Sequence, residues 1–449
     1  MKKQILLNAF NMNSVGHINH GLWTHPRDRS VDYKRIDYWT SLARTLERGL
    51  FDGIFIADII GVYDVYQGGV DLTLKESIQL PVNDPLLLVS AMAAVTTHLG
   101  FGITVNANAE PPYTFARRIS TLDHLTDGRI GWNIVTGYLD SAARAVGQDA
   151  LTAHDTRYDR AEDYLEVLYK LWEGSWRDDA VLGDKQARVY ADPSKVTPIR
   201  HDGPFYRVEG HHLAEPSQQR TPVLYQAGTS GRGRRFAARH AECIFITATD
   251  RQAARATARA LRAEAVEAGR APEDIKIFIG ISVIPGRTPE EAQEKHRDYL
   301  RHASPEAGLA HFAASTGIDF SRYGLDEPIE YGTSNAIQSA TELAKKKQWT
   351  KRQLLEELAL GGRYPLLVGT PDIIADELES WIDEGEIDGF NLARTVTPEC
   401  YEDFVDLVVP VLQERGRYKT GYGGSSLRDR LFRSGDRLPL DHPGATYRI

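Results

Sequence analysis

The chain has 449 residues, 42% hydrophobic and 26% charged, the make-up of a soluble globular protein too long for one small core. Acidic residues outnumber basic ones by 62 to 53, and the resulting formal charge of −9 argues against a nucleic-acid partner or an anionic membrane surface. No apolar run approaches the roughly 20 residues of a spanning helix. The apolar part of the opening "MKKQILLNAFNMNS" is too short for a signal sequence and reads as a strand. Cys243 and Cys400 form no CxxC pair, so neither a disulfide framework nor a thiolate metal site is expected, and the default compartment is the cytoplasm.

The pattern along the chain is short apolar runs alternating with amphipathic helices. After "QILLNAF", a helix is expected over "YKRIDYWTSLARTLERGL", with Ile36, Trp39, Leu42, Ala43, Leu46 and Leu50 at helical spacing. "FDGIFIADII" then reads as a parallel strand buried on both faces. A helix over "NDPLLLVSAMAAVTTHLG" opens with Asp84 as N-cap and Pro85 at its first position, and closes on Gly100. Strand "FGITVNA" follows, then a helix with Ala116, Ile119, Leu122 and Leu125 on one face and Gly128 as terminator, then strand "RIGWNIVTG". Helix "DTRYDRAEDYLEVLYKLW", strand "PVLYQAG", helix "RRFAARHAE", strand "CIFITA", helix "RQAARATARALRAEAVEAG" and strands "IKIFIGISVIPG" and "DGFNLAR" complete the series. Eight strands, most followed by a helix, predict an α/β fold of the (β/α)8 TIM-barrel type in one domain over 1–449. An open doubly wound sheet is the alternative. Segments at about 60–82, 174–220 and 287–365 break the repeat and read as insertions on βα loops that build or cover a site.

In such a barrel the C-terminal ends of the strands carry the chemistry. Here they offer Asp58, then Thr104, Asn106 and Asn108, then Asn133, Thr136, Gly137 and Tyr138, then Gly228, Thr229 and Ser230. These groups are small or polar, with no His–carboxylate cluster at metal spacing and no GxSxG elbow, which disfavours metal-dependent and serine hydrolysis. "QAGTSGRGRRFAARHAE" brings a Gly/Thr/Ser turn to a helix start among three arginines, which suits a phosphate; an ordinary βα turn with a solvated basic face is the other reading. Its glycines fall as G-x-x-G-x-G, so a nicotinamide-dinucleotide site is not expected. His154 and Tyr158 stand near the start of the next-earlier helix, where Tyr158 is equally suited to the core. Of His17, His20 and His25, His17 lies nearest a strand end.

Together with "NAFNMNSVGHINHGLW", "LFDGIFIADIIGVYDVY", "PVNDPL", "TLDHLTDGRIGWNIVTGYLDSAAR" and "HDTRYDRAEDYLEVLYKLWEGSW", these stretches resemble, end to end, the bacterial luciferase-like flavin monooxygenase superfamily. The similarity is to its nitrilotriacetate and dibenzothiophene-sulfone group, nearest the long-chain alkane and dimethyl-sulfide branch. The resemblance implies a TIM barrel that takes reduced FMN from a separate NAD(P)H:FMN reductase, uses O2 as co-substrate, and forms a homodimer or homotetramer. Carried over, Asp58, Thr104, Asn133, Thr136, His154, Tyr158, Thr229 and Ser230 contact FMN, the last three at or near its phosphate. His17, Tyr63, Gln79, Tyr138 and His311 become the residues of the substrate pocket and of proton donation. Ser14 and the pair Gly137–Tyr138 depart from the alkane-type pattern of cysteine and Ser-His, while the tail "RLPLDHPGATYRI" keeps it. The substrate expected is therefore small or linear, neutral and apolar, either an alkane or a thioether. A sulfone monooxygenase, a deazaflavin-dependent dehydrogenase and a non-catalytic flavin carrier are the other readings.

Overall fold

Runs that are apolar on both faces cannot end at a solvated edge, and in the computed structural model of the chain they close on themselves. The structure describes residues 2–228, 230–330, 345 and 347–449. Among these the strands are β1 (Leu6–Met12), β2 (Gly53–Ala57), β3 (Gly100–Asn106), β4 (Ile130–Val135), β5 (Val181–Asp184), β6 (Val189–Ala191), β7 (Ile199–Asp202), β8 (Arg207–Gly210), β9 (Val223–Gln226), β10 (Cys243–Ile246), β11 (Lys276–Pro285), β12 (Leu366–Gly369) and β13 (Gly389–Ala393). Strands β1, β2, β3, β4, β9, β10, β11 and β13 pair in that order, all parallel, and β13 returns to β1 to close an eight-stranded barrel. β12 pairs only with the end of β11, outside the closed ring. The expected barrel is thus the observed one.

Alternation along each strand divides the core. Leu7 and Ala9 of β1, Ile54 and Ile56 of β2 and their counterparts face the surrounding helices in one large cluster. Phe10, Phe55, Tyr225, Phe245 and Phe278 belong instead to the cluster that fills the barrel, together with Leu427 and Leu431. Glycine makes room for these rings: a Cβ on Gly131 would lie 2.6 Å from Tyr225, and one on Gly280 2.5 Å from Tyr364. Leu427 lies against Gly100, where β3 begins, and its N–H donates to Gly128 O at 2.8 Å. Beside it, fully buried Arg428 holds Glu242 through Nε at 2.6 Å and Nη2 at 2.9 Å, and donates to the carbonyls of Thr221 and Pro222. This C-terminal segment covers the starts of β3, β4, β9 and β10.

Two helix expectations are corrected. The helix expected over 83–100 is only Leu86–Ala93, with Pro85 at the N-cap, although Asp84 does accept the Leu86 N–H at 2.9 Å. Beyond Ala93 the backbone finds better partners elsewhere. One oxygen of Glu47 accepts from the N–H groups of Thr97, His98 and Leu99, while Arg129 takes the carbonyls of Ala93 and Leu99. Leu125 is 60% exposed, because three-residue steps from Ala116 drift around the helix and carry it off the buried face.

The 174–220 excursion forms two antiparallel ribbons, β5–β6 and β7–β8. Within 60–82 a short helix, Asp71–Lys75, packs with helices Pro305–Thr316 and Lys351–Glu357 of the 287–365 segment in a second apolar cluster over the barrel mouth. Residues 331–344 and 346 of that segment lie outside the described residues. No described helix is long and apolar enough to cross a membrane.

Candidate active site

The polar groups at the C-terminal mouth fall into three sets. The first joins β3 and β4, where Thr104 and Asn133 are register partners in adjacent strands. Asn133 Nδ2 donates to Thr104 Oγ1 at 2.8 Å, while Asn133 Oδ1 is buried with no hydrogen-bond partner. Just beyond, Asn108 Nδ2 donates to Thr136 O at 3.1 Å, and Gly137 adopts φ +78°. That φ is what calls for glycine; a Cβ there would also sit 2.9 Å from Asn106 Nδ2, the movable end of a side chain. Thr136, Gly137, Asn106 and Asn108 line a small cavity of about 60 Å³ with Ile60 and Arg157. Asp58, after β2, is half-buried; burial first, then the nearby Asp84 carboxylate, pushes its carboxyl up to about 7.

The second set lies at the start of the helix Gly231–His240. Ser230 is its N-cap, its Oγ accepting the Gly233 N–H at 3.1 Å and lying 3.3 Å from His154 Nε2. The Tyr158 hydroxyl, 3.4 Å from Gln226 Nε2, occupies space that only glycine leaves open. A Cβ on Gly228 would come within 2.6 Å of it and one on Gly233 within 2.8 Å. Tyr158 is therefore both core, packed on Phe236, and part of the turn. The arginines depart from expectation: Arg232 pairs with Asp159 at 2.9 Å and Glu162 at 3.3 Å, and Arg234 with Glu264 at 3.1 Å. Carboxylates on neighbouring helices claim both, which leaves the exposed Arg235 beside the N–H groups, Ser230, Tyr158 and His154 as the groups that suit an anion here. Thr229 lies outside the described residues.

In the third set, side chains from distant parts of the sequence meet. The Tyr63 hydroxyl lies 2.6 Å from Gln79 Oε1, 3.0 Å from the Tyr138 hydroxyl and 3.4 Å from His311 Nε2, and its ring stacks on His311 at 5.0 Å. Tyr63, Gln79, Tyr138 and His311 thus form one hydrogen-bonded cluster. Apolar Tyr66, Ile78, Leu139 and Phe312 surround it. His17 does not bond into the cluster but stands edge-on to Phe10 at 4.5 Å, with Nδ1 buried and unpaired. Burial, then the Arg394 cation, holds His17 well below the usual histidine range; burial, then His20 and Arg363, does the same for His311. Burial also raises the Tyr63 and Tyr138 hydroxyls. All of these groups are neutral at neutral pH.

Two participants had no role in the sequence reading, which named His20 only as one of three histidines after the first strand. His20 Nε2 lies 3.1 Å from His311 Nδ1; the H-x-x-H spacing after β1 was the available signal. Arg394, following β13, donates to Ser14 O at 2.8 Å and Val15 O at 2.7 Å, pinning the loop that carries both histidines. A cavity of about 710 Å³ lies at the other end of the barrel among Lys3, Asp52, Lys276, Asp388 and Arg430, remote from all three sets.

A sequence model described as "Luciferase-like monooxygenase" matches residues 18–386. The chain belongs to the luciferase-like monooxygenase family. Within that family it is 50% identical to the dimethyl-sulfide monooxygenase of Hyphomicrobium sulfonivorans, covering 100% of this chain and 94% of that one. It is 48% identical to the long-chain alkane monooxygenase of Geobacillus thermodenitrificans, covering 100% and 99%. A crystal structure of a riboflavin lyase with modified FMN and riboflavin superposes over 100% of both chains with a TM-score of 0.94 at 39% identity. This luciferase-like enzyme is a flavin-dependent monooxygenase.

Proposed function

We propose that the enzyme binds reduced FMN, delivered by a separate NAD(P)H:FMN reductase, and transfers one atom of O2 to a small or linear neutral substrate, an alkane or a thioether. The balance is substrate, O2 and FMNH2 giving oxygenated substrate, water and FMN. The observation that carries this reading is the third set: hydrogen-bonding groups that are all uncharged, set in an apolar wall at the mouth of the barrel. A polycarboxylate would need several cations there, whereas Arg363 is the cation that Tyr63, Tyr138 and His311 share; an alkane or thioether needs none.

The residues at hand suit the flavin. The unpaired Asn133 Oδ1 accepts an N–H, which a flavin ring brings. Ser230, Tyr158, His154 and the free N–H groups of a helix start suit its phosphate. Asp58, Thr104 and Thr136 stand at the same strand ends, Thr104 bonded to Asn133 itself. When bound, reduced flavin supplies the electrons that activate oxygen. The protein's own part is to orient it, to keep water away with the cluster around Phe312 and Leu139, and to present hydroxyl protons from Tyr138 and Tyr63, with His17 and His311 as neutral partners.

The purified chain alone is expected not to oxidise NADH; adding a separate FMN reductase should start oxygen-dependent turnover of alkanes or thioethers. Rapid NADH consumption by the isolated chain, or turnover of nitrilotriacetate alone, would overturn the reading. Ser230→Ala or Tyr158→Phe should weaken reduced FMN by about 1–2 kcal/mol each. Riboflavin, which lacks the phosphate, should bind the parent weakly and respond little to either change. Equal binding of FMN and riboflavin to the parent would move the phosphate subsite elsewhere. Light scattering should find a dimer or tetramer.

A further inference from the structure

The hydrogen bonds of the pocket cluster run in one direction. Gln79 presents its carbonyl oxygen to Tyr63 at 2.6 Å, and a carbonyl oxygen only accepts, so the one Tyr63 proton is committed there. The Tyr63 oxygen can then only accept from its other two neighbours, the Tyr138 hydroxyl at 3.0 Å and His311 Nε2 at 3.4 Å. His311 must carry its proton on Nε2. Held neutral by burial, it has a bare Nδ1, and that atom faces His20 Nε2 at 3.1 Å. His20, also buried and neutral, therefore protonates its Nε2 and leaves its Nδ1 bare; that nitrogen is buried without a partner. A lone acceptor facing nothing costs less than a lone N–H in the same place only if the N–H finds work elsewhere, and here it does, on His311.

We propose that His20 is a positioning residue: by donating Nε2–H to His311 Nδ1 it fixes His311 as the Nε2–H tautomer and aims that proton at the Tyr63–Tyr138 pair. The charges around the histidines favour their neutral form: Arg394 acts on His17 and His20, and Arg363 on His311. Arg363 also pulls the Tyr63 and Tyr138 hydroxyls down, but burial outweighs it, with Asp58 adding to burial at Tyr63. No carboxylate is hydrogen-bonded to either ring among the described residues. A ring held neutral acts through which nitrogen holds its single proton. The tautomer follows from the hydrogen-bond geometry together with the neutrality of the two buried rings; its bearing on turnover rests on the monooxygenase reading.

The test is 15N NMR of histidine-labelled full-length protein, without flavin, beside steady-state kinetics with reductase, FMN and O2. In the parent, His311 should show one tautomer with Nδ1 unprotonated and hydrogen-bonded. His20→Leu should remove the hydrogen-bond shift at Nδ1 and mix the tautomers, lowering kcat roughly 10- to 100-fold with KM little changed, the scale of a misaimed group. His20→Gln, which keeps an N–H donor, should restore both the shift and most of kcat. A protonated Nδ1 on His311 in the parent overturns the proposal, as does a His20→Gln enzyme no better than His20→Leu. Because the spectra need no turnover, a correct tautomer in a protein that oxygenates nothing would count against the function and not against the positioning role.

Discussion

Two groups of histidines lie close in sequence and behave in opposite ways. His17 and His20 follow β1 and meet His311 at the barrel mouth. His25, five residues after His20, turns outward to Asp298 and His302 on the helix Pro289–His302. At the rim, His25 Nδ1 accepts the Arg27 N–H at 3.2 Å, so Nε2–H donates to Asp298 Oδ2 at 2.9 Å, and Arg301 holds the other oxygen at 2.6 Å. The His25 hydrogen bond, then Arg301, draws the Asp298 carboxyl down to about 2. In the pocket no carboxylate enters; burial and Arg394 push His20 down to about 3. The same side chain serves as a latch where a carboxylate meets it and as a neutral proton carrier where only cations do. The partner, and not the residue, decides.

Acid should separate the two groups most strongly. A histidine whose folded pKa is depressed binds a proton only when unfolded between its two values, so the pocket trio gives stability above about pH 6.5 that is lost on acidification, for His20 down to about 3. The slope is about 1.4 kcal/mol per pH unit for each histidine, and up to roughly three times that if all three act. Asp298 contributes in a lower window, its stability present above about 4 and lost toward 2. Urea midpoints measured from pH 7.5 to 5 should therefore fall in the parent and fall less in His17→Asn and His20→Gln. An unchanged slope would mean the trio is not held neutral.

Next in size is the pocket hydroxyl. Tyr138→Phe should lower turnover about a hundredfold, the scale of a lost general acid, while reduced-FMN affinity stays nearly unchanged; equal turnover would remove Tyr138 from the chemistry. The smallest effect belongs to the rim. Asp298→Ala should cost about 1 kcal/mol of stability, as expected for a partly exposed pair, and leave kcat unaltered. A large loss of kcat there would erase the distinction between latch and carrier.

The sequence carried the barrel because its eight strands are apolar on both faces and bounded by turn residues, a local signal. The ends of the Leu86 helix were not legible, since Glu47 and Arg129, which redirect its last turn, sit far away in the chain. At the site, Thr104 and Asn133 could be read from strand ends, because adjacent parallel strands put equivalent ends side by side. Tyr63, Gln79, Tyr138 and His311 span 249 positions; Tyr138 could be read from its strand end, while the other three entered only through family resemblance, since no spacing rule links them. Arg394 acts on other protein groups, a role that leaves no motif, and His20 left only the H-x-x-H spacing after β1.

The segment that covers the lower end of the barrel has a consequence for how the molecule is made. β3, β4, β9 and β10 leave the ribosome well before Leu427 and Arg428, which lie 181 residues or more beyond them. Until those residues emerge, Glu242 has no arginine and the interior aromatics Tyr225 and Phe245 lie open at that end. Each chain therefore spends seconds of synthesis as an unfinished vessel, at the several residues per second of translation. That interval, more than the finished structure, is where aggregation would start and where a chaperone would find its grip.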